Sequence, residues 1–183
     1  MNIKTAFVFS IASFILSTAV ANANLLLDIY AGGTYGMGGY TLFADDDHIS
    51  KSYKSYGAVV GIDIPLLRFE AEYSSFNADH MSIDVAMVNG YFKIPTPVVK
   101  PYIGVGIGET FDAKYEPNNM APISIKDTTA FQGMLGITFN VPVIPFNIDV
   151  EGRTLYIPDA MKLSNVKTDI LQYEGRVKLR YVF

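Results

Sequence analysis

The final thirteen residues of the chain alternate without interruption. Leu171, Tyr173, Gly175, Val177, Leu179, Tyr181 and Phe183 share one parity, and Gln172, Glu174, Arg176, Lys178, Arg180 and Val182 share the other. A helix would scatter those charges around its circumference, because its side chains repeat about every 3.6 residues. A strand gathers the apolar groups on one face and the charges on the other. One face is apolar enough for lipid and the other too charged for a dry core. That combination predicts a transmembrane β-barrel, with lipid outside and a polar lumen inside.

Residues 1–23 read as a targeting segment outside the fold. Lys4 supplies a positive n-region, Ala6 to Val20 an apolar h-region, and Ala21-Asn22-Ala23 a small-x-small cleavage site. The expected mature chain starts at Asn24, and residues 24–183 form one barrel domain. Lys4 is one of the 14 basic residues, so 13 remain against 18 acidic ones, a net charge near −5. Lys and Arg are spaced singly along strands and form no patch, which argues against nucleic acid. The absence of Cys excludes a disulfide framework and thiolate metal sites. Outside the targeting segment no apolar run reaches the ~18 residues a membrane helix needs. Half the residues are nonetheless hydrophobic, with 12 Tyr and 12 Phe. A closed barrel is then the spanning solution, because lipid cannot satisfy open backbone edges.

The alternation predicts eight antiparallel strands in an all-β, up-and-down barrel. The first runs from about Leu25 to Gly33, with Asp28, Tyr30 and Gly32 inward. The second covers Tyr56 to Ile64, with Asp63 inward. The third is Leu67 to Ser74, with Arg68, Glu70, Glu72 and Ser74 inward. The fourth, Ser82 to Ile94, is ambiguous: the parity that sends Asn89, Tyr91 and Lys93 into the lumen also sends Ile83, Val85 and Met87 there. A bulge or an apolar plug at one lumen end accounts for it. The fifth runs from Lys100 to Phe111, the sixth from Phe131 to Val141, the seventh from Phe146 to Tyr156, and the eighth is the terminal one. Short, proline-bearing turns at Pro65, Pro95–Pro97 and Pro142–Pro145 alternate with longer connections at Thr34–Ser55, Asp112–Thr128 and Ile157–Asp169, beside one brief connection at Asn77–Met81. Turns are expected in the periplasm and loops outside.

Under this threading Arg68, Lys93, Lys100, Arg153, Arg176, Lys178 and Arg180 meet Asp28, Asp63, Glu70, Glu72, Asp149, Glu151 and Glu174 in the lumen, seven cations for seven anions. Unpaired charge in a narrow lumen is costly, so equal numbers predict cross-strand pairing. Eight strands enclose only enough room for their own side chains, which predicts a filled polar interior. Gly104, Gly106 and Gly108 alternate along a strand, with no helix after them as a dinucleotide loop requires, and make room for large lumen side chains opposite. The only histidines, His48 and His80, fall in expected external loops. Ser74, Ser75 and His80 lack a recognisable nucleophile–base motif, and Asp45-Asp46-Asp47-His48 lacks calcium-loop spacing. No catalytic residue, cofactor or metal is expected. Tyr56, Tyr73, Phe76, Phe111, Phe131, Phe146, Tyr156, Tyr181 and Phe183 suit interfacial aromatic girdles.

Three segments resemble the outer-membrane β-barrel family that includes opacity-type and OmpA-like small surface proteins and rickettsial surface adhesins. Met87-Val88-Asn89-Gly90-Tyr91-Phe92 followed by Lys100-Pro101-Tyr102-Ile103-Gly104-Val105-Gly106-Ile107-Gly108 is similar to the family's asparagine–aromatic and proline–aromatic–glycine strands. Gly133-Met134-Leu135-Gly136-Ile137 with Asp149-Val150-Glu151-Gly152-Arg153 looks like its sixth and seventh strands. Arg180-Tyr181-Val182-Phe183 looks like the terminal signal read by the barrel-assembly machinery, with Tyr181 and Phe183 as its aromatic groups. The resemblance implies a monomeric, multi-pass barrel in the outer membrane of a Gram-negative bacterium. The partners it implies are outer-membrane lipid and lipopolysaccharide, assembly machinery and periplasmic chaperones. It implies a structural or adhesive role, with a host or environmental ligand at the external loops. A small-solute or hydrophobic-compound channel and a lipid-A-modifying enzyme are the other activities such barrels host.

Overall fold

In this computed structural model the described residues are 27–44, 47–78, 81–115, 123–124, 128–140, 143–163 and 166–183. At 42–44, 47–51, 81, 112–115, 123–124, 159–163 and 166–168 only the backbone is described. The expected targeting segment, Asp45, Asp46 and His80 lie outside what is described; Asp47 and His48, expected in an external loop, lie instead on a paired strand opposite Ala44 and Phe43.

The described residues form nine strands: β1 (Asp28–Ala44), β2 (Asp47–Asp63), β3 (Leu67–Ala78), β4 (Met81–Lys93), β5 (Val99–Tyr115), β6 (Ile123–Ser124), β7 (Thr129–Asn140), β8 (Phe146–Leu163) and β9 (Val166–Val182). β6 is a two-residue ladder on the end of β5. The other eight pair in an antiparallel ring, each with its chain neighbour, and β1 with β9 closes it from Tyr30↔Val182 to Phe43↔Asp169. The expected eight-stranded up-and-down barrel is therefore the observed one. Closure leaves no strand edge, so the backbone of every stave is hydrogen-bonded on both sides.

The pleat sorts the side chains as the alternation requires. Along β3, Arg68, Glu70, Glu72 and Ser74 are buried inside while Phe69 and Tyr73 are exposed outside. Ile103, Val105, Leu135, Val150, Val177 and Leu179 are likewise exposed. Apolar outside and charged inside inverts a water-soluble core, which is the signature of a barrel solvated by lipid.

The strands are longer than expected at the loop end. Thr34–Ser55 is not a loop: β1 and β2 stay paired to Ala44↔Asp47. β5 continues to Tyr115, and β8 and β9 pair to Leu163↔Val166. In the sequence these extensions resemble loops because their outward side chains, such as Ser52 and Lys54, are polar, which hides the period of two. Two irregularities interrupt the ladders. Between Ser82 and Asp84 the pairing with β5 shifts, which places an extra residue on β5. A second shift between Ile157 and Met161 holds Pro158, whose missing N–H suits a break in the ladder.

Both readings of the fourth strand are realised, in different places. The parity of β4 never flips, so Ile83, Val85 and Met87 do point inward, and the bulge sits on the partner strand. Their company is an apolar cluster of Tyr40, Tyr53, Phe76, Ala130, Leu155, Ile157 and Ile170 at the loop end of the lumen. Phe76 therefore does not join the outer girdle. It is buried inside, edge-on to the Tyr53 ring at 5.5 Å.

Candidate functional site

The lumen is the place where chemistry-bearing side chains converge, and strand register stacks them in tiers. At the turn end Asp149 of β8 receives the Arg180 guanidinium through two bonds, Nε at 2.9 Å and Nη2 at 3.0 Å. From the opposite wall, Arg68 donates to the same carboxylate at 2.9 Å and to Thr138 at 3.0 Å. Asp63 holds Lys93 and lies 3.4 Å from both Arg68 and Arg180. The Tyr30 ring lies beneath the Arg180 guanidinium, 4.6 Å from centroid to carbon. Three cations thus share two carboxylates, with tyrosine faces taking part of the positive charge.

The middle tier is organised around glutamates. Glu70 accepts from Lys178 at 2.7 Å, Tyr30 at 2.7 Å and Tyr91 at 2.8 Å. Glu72 accepts from Arg153 at 2.9 Å, Asn89 at 2.9 Å and Ser74 at 2.6 Å, and pairs with Arg176. Glu151 accepts from Arg176 at 2.5 Å and Tyr102 at 2.9 Å. Glu174 pairs with Arg153 at 2.5 Å and accepts from Ser55 at 2.8 Å. β3 and β8 stand opposite one another in the ring, so Arg68–Asp149 and Glu72–Arg153 span the lumen. Arg68, Asp149, Lys178 and Arg180 are completely buried. In a low-dielectric interior such charges persist only when each finds a counter-charge and its remaining donors are bonded.

Of the charges placed inward by the sequence, twelve enter these tiers: Asp63, Arg68, Glu70, Glu72, Lys93, Asp149, Glu151, Arg153, Glu174, Arg176, Lys178 and Arg180. Asp28 and Lys100 stay at the turn-end mouth, the first exposed and the second half-buried. Tyrosine hydroxyls at 30, 91 and 102, together with Ser55, are partners that charge counting does not reveal. Parity placed those tyrosines inside, but nothing in the sequence says which carboxylate each meets.

The alternating glycines of β5 have the spatial reason expected of them. A Cβ at Gly104 would run into the Tyr91 ring, at Gly106 into Asn89 and Gln132, and at Gly108 into Met87 and the β4 backbone. The small residues on β5 let the large lumen side chains of β4 lie flat against the wall.

Ser74 and Ser75 face opposite sides of the sheet, and the Ser74 hydroxyl is committed to Glu72. Among the described residues no group of His, Asp and Glu gathers in metal-binding geometry. On the outside, Tyr56, Tyr73, Phe131, Tyr156 and Tyr173 ring the barrel toward the loop end, and Phe69, Phe92, Phe146, Tyr181 and Phe183 ring it toward the turns. Phe146, Tyr181 and Phe183 meet edge to face at 5.2 and 5.1 Å.

A closed eight-stranded ring, lipophilic outside and charged within, defines the fold class of the small outer-membrane β-barrels. Known structures of that class share it. The crystal structure of neisserial surface protein A superposes with a TM-score of 0.65 at 17% identity, covering 85% of this chain and 97% of that one. The N-terminal β-barrel domain of OprF from Pseudomonas aeruginosa gives 0.53 at 10% identity, covering 82% and 97%. At these identities the likeness is one of fold. No protein-family model matches the chain, and no curated protein matches it in sequence.

Proposed function

We propose that this chain is a surface barrel of the Gram-negative outer membrane, structural and adhesive in role, whose lumen is sealed and whose loop end is the contact surface. The observation that carries this reading is the occupancy of the lumen. Two tiers of ion pairs meet across the axis, and the Tyr40–Ile170 apolar cluster caps them at the loop end. A channel would need a continuous wet path past buried Arg68, Lys178 and Ile170, each at 0% exposure. The paired strands that extend beyond the Tyr56–Tyr73 girdle supply a rigid platform for the hairpin ends. The reading is non-enzymatic: the Ser74 hydroxyl is bonded to Glu72 inside the barrel, and Ser75 lies on the other face of β3. Outer-membrane lipid and lipopolysaccharide are its expected surroundings, assembly machinery and chaperones its expected route there, and the monomer its working form.

Planar-bilayer recording of the purified, refolded protein tests the sealed lumen. The expected trace carries no steady, large conductance, and a stable open pore would replace this reading with the channel. The adhesive half is tested by exchanging the β1–β2 and β5–β7 hairpin ends on displaying cells. Adhesion to matrix-coated surfaces should disappear with the exchange. Adhesion no greater than that of cells without the barrel would leave only the structural role.

A further inference from the structure

The three short turns are unusual in having nothing to offer water. Ile64-Pro65-Leu66, Ile94-Pro95-Thr96-Pro97-Val98 and Val141-Pro142-Val143-Ile144-Pro145 contain no charged residue and none of the Gly, Asn or Asp that ordinarily make tight turns. Leu66, Ile94, Val98 and Ile144 are exposed, and Val143 is entirely so at 102%. Val143 also sits at φ 80, a left-handed conformation that strains a β-branched residue and that Gly or Asn would adopt readily. The one polar side chain in these turns, Thr96, donates its hydroxyl to the Val99 carbonyl.

Part of the turn backbone is bonded to the strand ends. The Leu66 carbonyl accepts from Lys93 N at 2.8 Å, the Val98 carbonyl from Asn140 N at 3.1 Å, and the Pro145 carbonyl from Val182 N at 2.8 Å. Ile64 N donates back to Leu67 at 2.9 Å, Phe183 N closes the seam on Ile29 at 2.9 Å, and the prolines have no N–H to satisfy. Each turn is thus tied to an adjoining strand end by a backbone hydrogen bond.

The height of the apolar wall leads to the same place. On β3 the outward row passes from polar Ser75 to Tyr73 and ends at Leu67. At about 3.3 Å per residue and a tilt of about 40°, Tyr73 to Leu67 covers roughly 15 Å along the axis, and Tyr56 to Ile64 on β2 roughly 20 Å. A barrel of this kind presents an apolar band about 25 Å tall. Lys54, Asp84 and Glu109 face outward near the loop end and stop the band there. On these two strands the remaining height lies toward the turns, whereas Phe146–Tyr156 and Tyr173–Phe183 each cover roughly 25 Å by the same measure. The ring of aromatics nearest them is mostly Phe, with Tyr181 its one hydroxyl, whereas the loop-end ring is mostly Tyr. Phenylalanine lacks the polar handle that holds Tyr at the headgroups.

We propose that the turn end is a lipid-binding collar: Leu66, Val98, Val143 and Ile144 lie within the phospholipid leaflet, at the boundary of headgroups and acyl chains, and not in the water beneath it. The collar continues the lipid-facing wall, and it rests on the membrane-spanning reading above. Asp28 and Lys100 remain on the lumen side of the rim, where water reaches them.

The chain has no Trp, so a single introduced one reports alone. Leu66→Trp, Val98→Trp and Ile144→Trp would be refolded into phosphatidylcholine vesicles, beside Val88→Trp on the outer wall and Lys54→Trp at the loop end. The expected result is blue-shifted emission for the turn variants, close to that of Val88→Trp, and loss of intensity when the acyl chains are brominated. Red emission matching Lys54→Trp, unquenched by brominated lipid, would overturn the collar while leaving the barrel in the membrane. An unquenched Val88→Trp would overturn both. As a second measurement, Leu66→Asp, Val98→Asp and Ile144→Asp combined should fold in micelles yet lose stability in vesicles, more so as the acyl chains lengthen. Wild-type stability in vesicles of every chain length would also overturn the collar.

Discussion

Glu72 shows how a buried charge is held in this barrel. Arg153, Arg176, Asn89 and Ser74 all direct donors at its carboxylate, from four different walls or positions. Removing it takes one of two carboxylates from each guanidinium, leaving Arg153 with Glu174 and Arg176 with Glu151, and breaking a buried pair costs about 3–5 kcal/mol. Glu72→Ala should therefore lower the unfolding free energy of the refolded barrel, read from its urea curve, by that amount. A loss under about 1 kcal/mol would mean that water screens the tier. Gln172 is the opposite case. It is 1% exposed, and neither its amide nitrogen nor its oxygen has a hydrogen-bond partner among the described residues. A buried unsatisfied amide costs about 1–3 kcal/mol. Gln172→Met keeps the length without the polar atoms and should stabilise the protein by about 1 kcal/mol, read from the same unfolding curve. Gly104→Val should destabilise by about 1–3 kcal/mol, because the new side chain would displace Tyr91 from Glu70.

The terminal strand joins sequence pattern to assembly. β9 closes the ring against β1 and carries Glu174, Arg176, Lys178 and Arg180 into both ion-pair tiers. The residue after it, Phe183, contributes one seam hydrogen bond to Ile29 and one edge-on contact with Tyr181. Those contacts are worth about 1–2 kcal/mol together, too little to decide whether the barrel forms. Deleting Phe183 should leave refolding into detergent intact. In cells the same deletion should cut the amount of protein in the outer membrane, if this ring is the group that the assembly machinery reads. Normal levels of the deletion variant in the outer membrane would remove that role from the terminus.

At the scale of the whole molecule, a closed ladder and cross-lumen ion pairs make the barrel a single cooperative unit, since no stave can leave without opening two seams. The folded form should persist in detergent at room temperature and migrate differently from boiled protein on a gel. Identical migration, with a helical circular-dichroism spectrum, would contradict the architecture. The eight staves and the inward set of charges could be read from alternation alone, because a pleated strand assigns faces by parity and because lipid and lumen demand opposite chemistries. Parity is a local property, visible along Leu171–Phe183 or Leu67–Ser74 without knowing any neighbour. Partner choice is not local. That Arg68 meets Asp149, that Glu72 collects Arg153 and Arg176, and that Ile83, Val85 and Met87 join Leu155 and Ile170 in a cap all depend on which walls face one another after closure. The extension of β1 and β2 to Ala44 and Asp47 escaped the pattern for a related reason: beyond the lipid both faces of a strand accept polar groups, and only the continued pairing of one strand with the next keeps it regular.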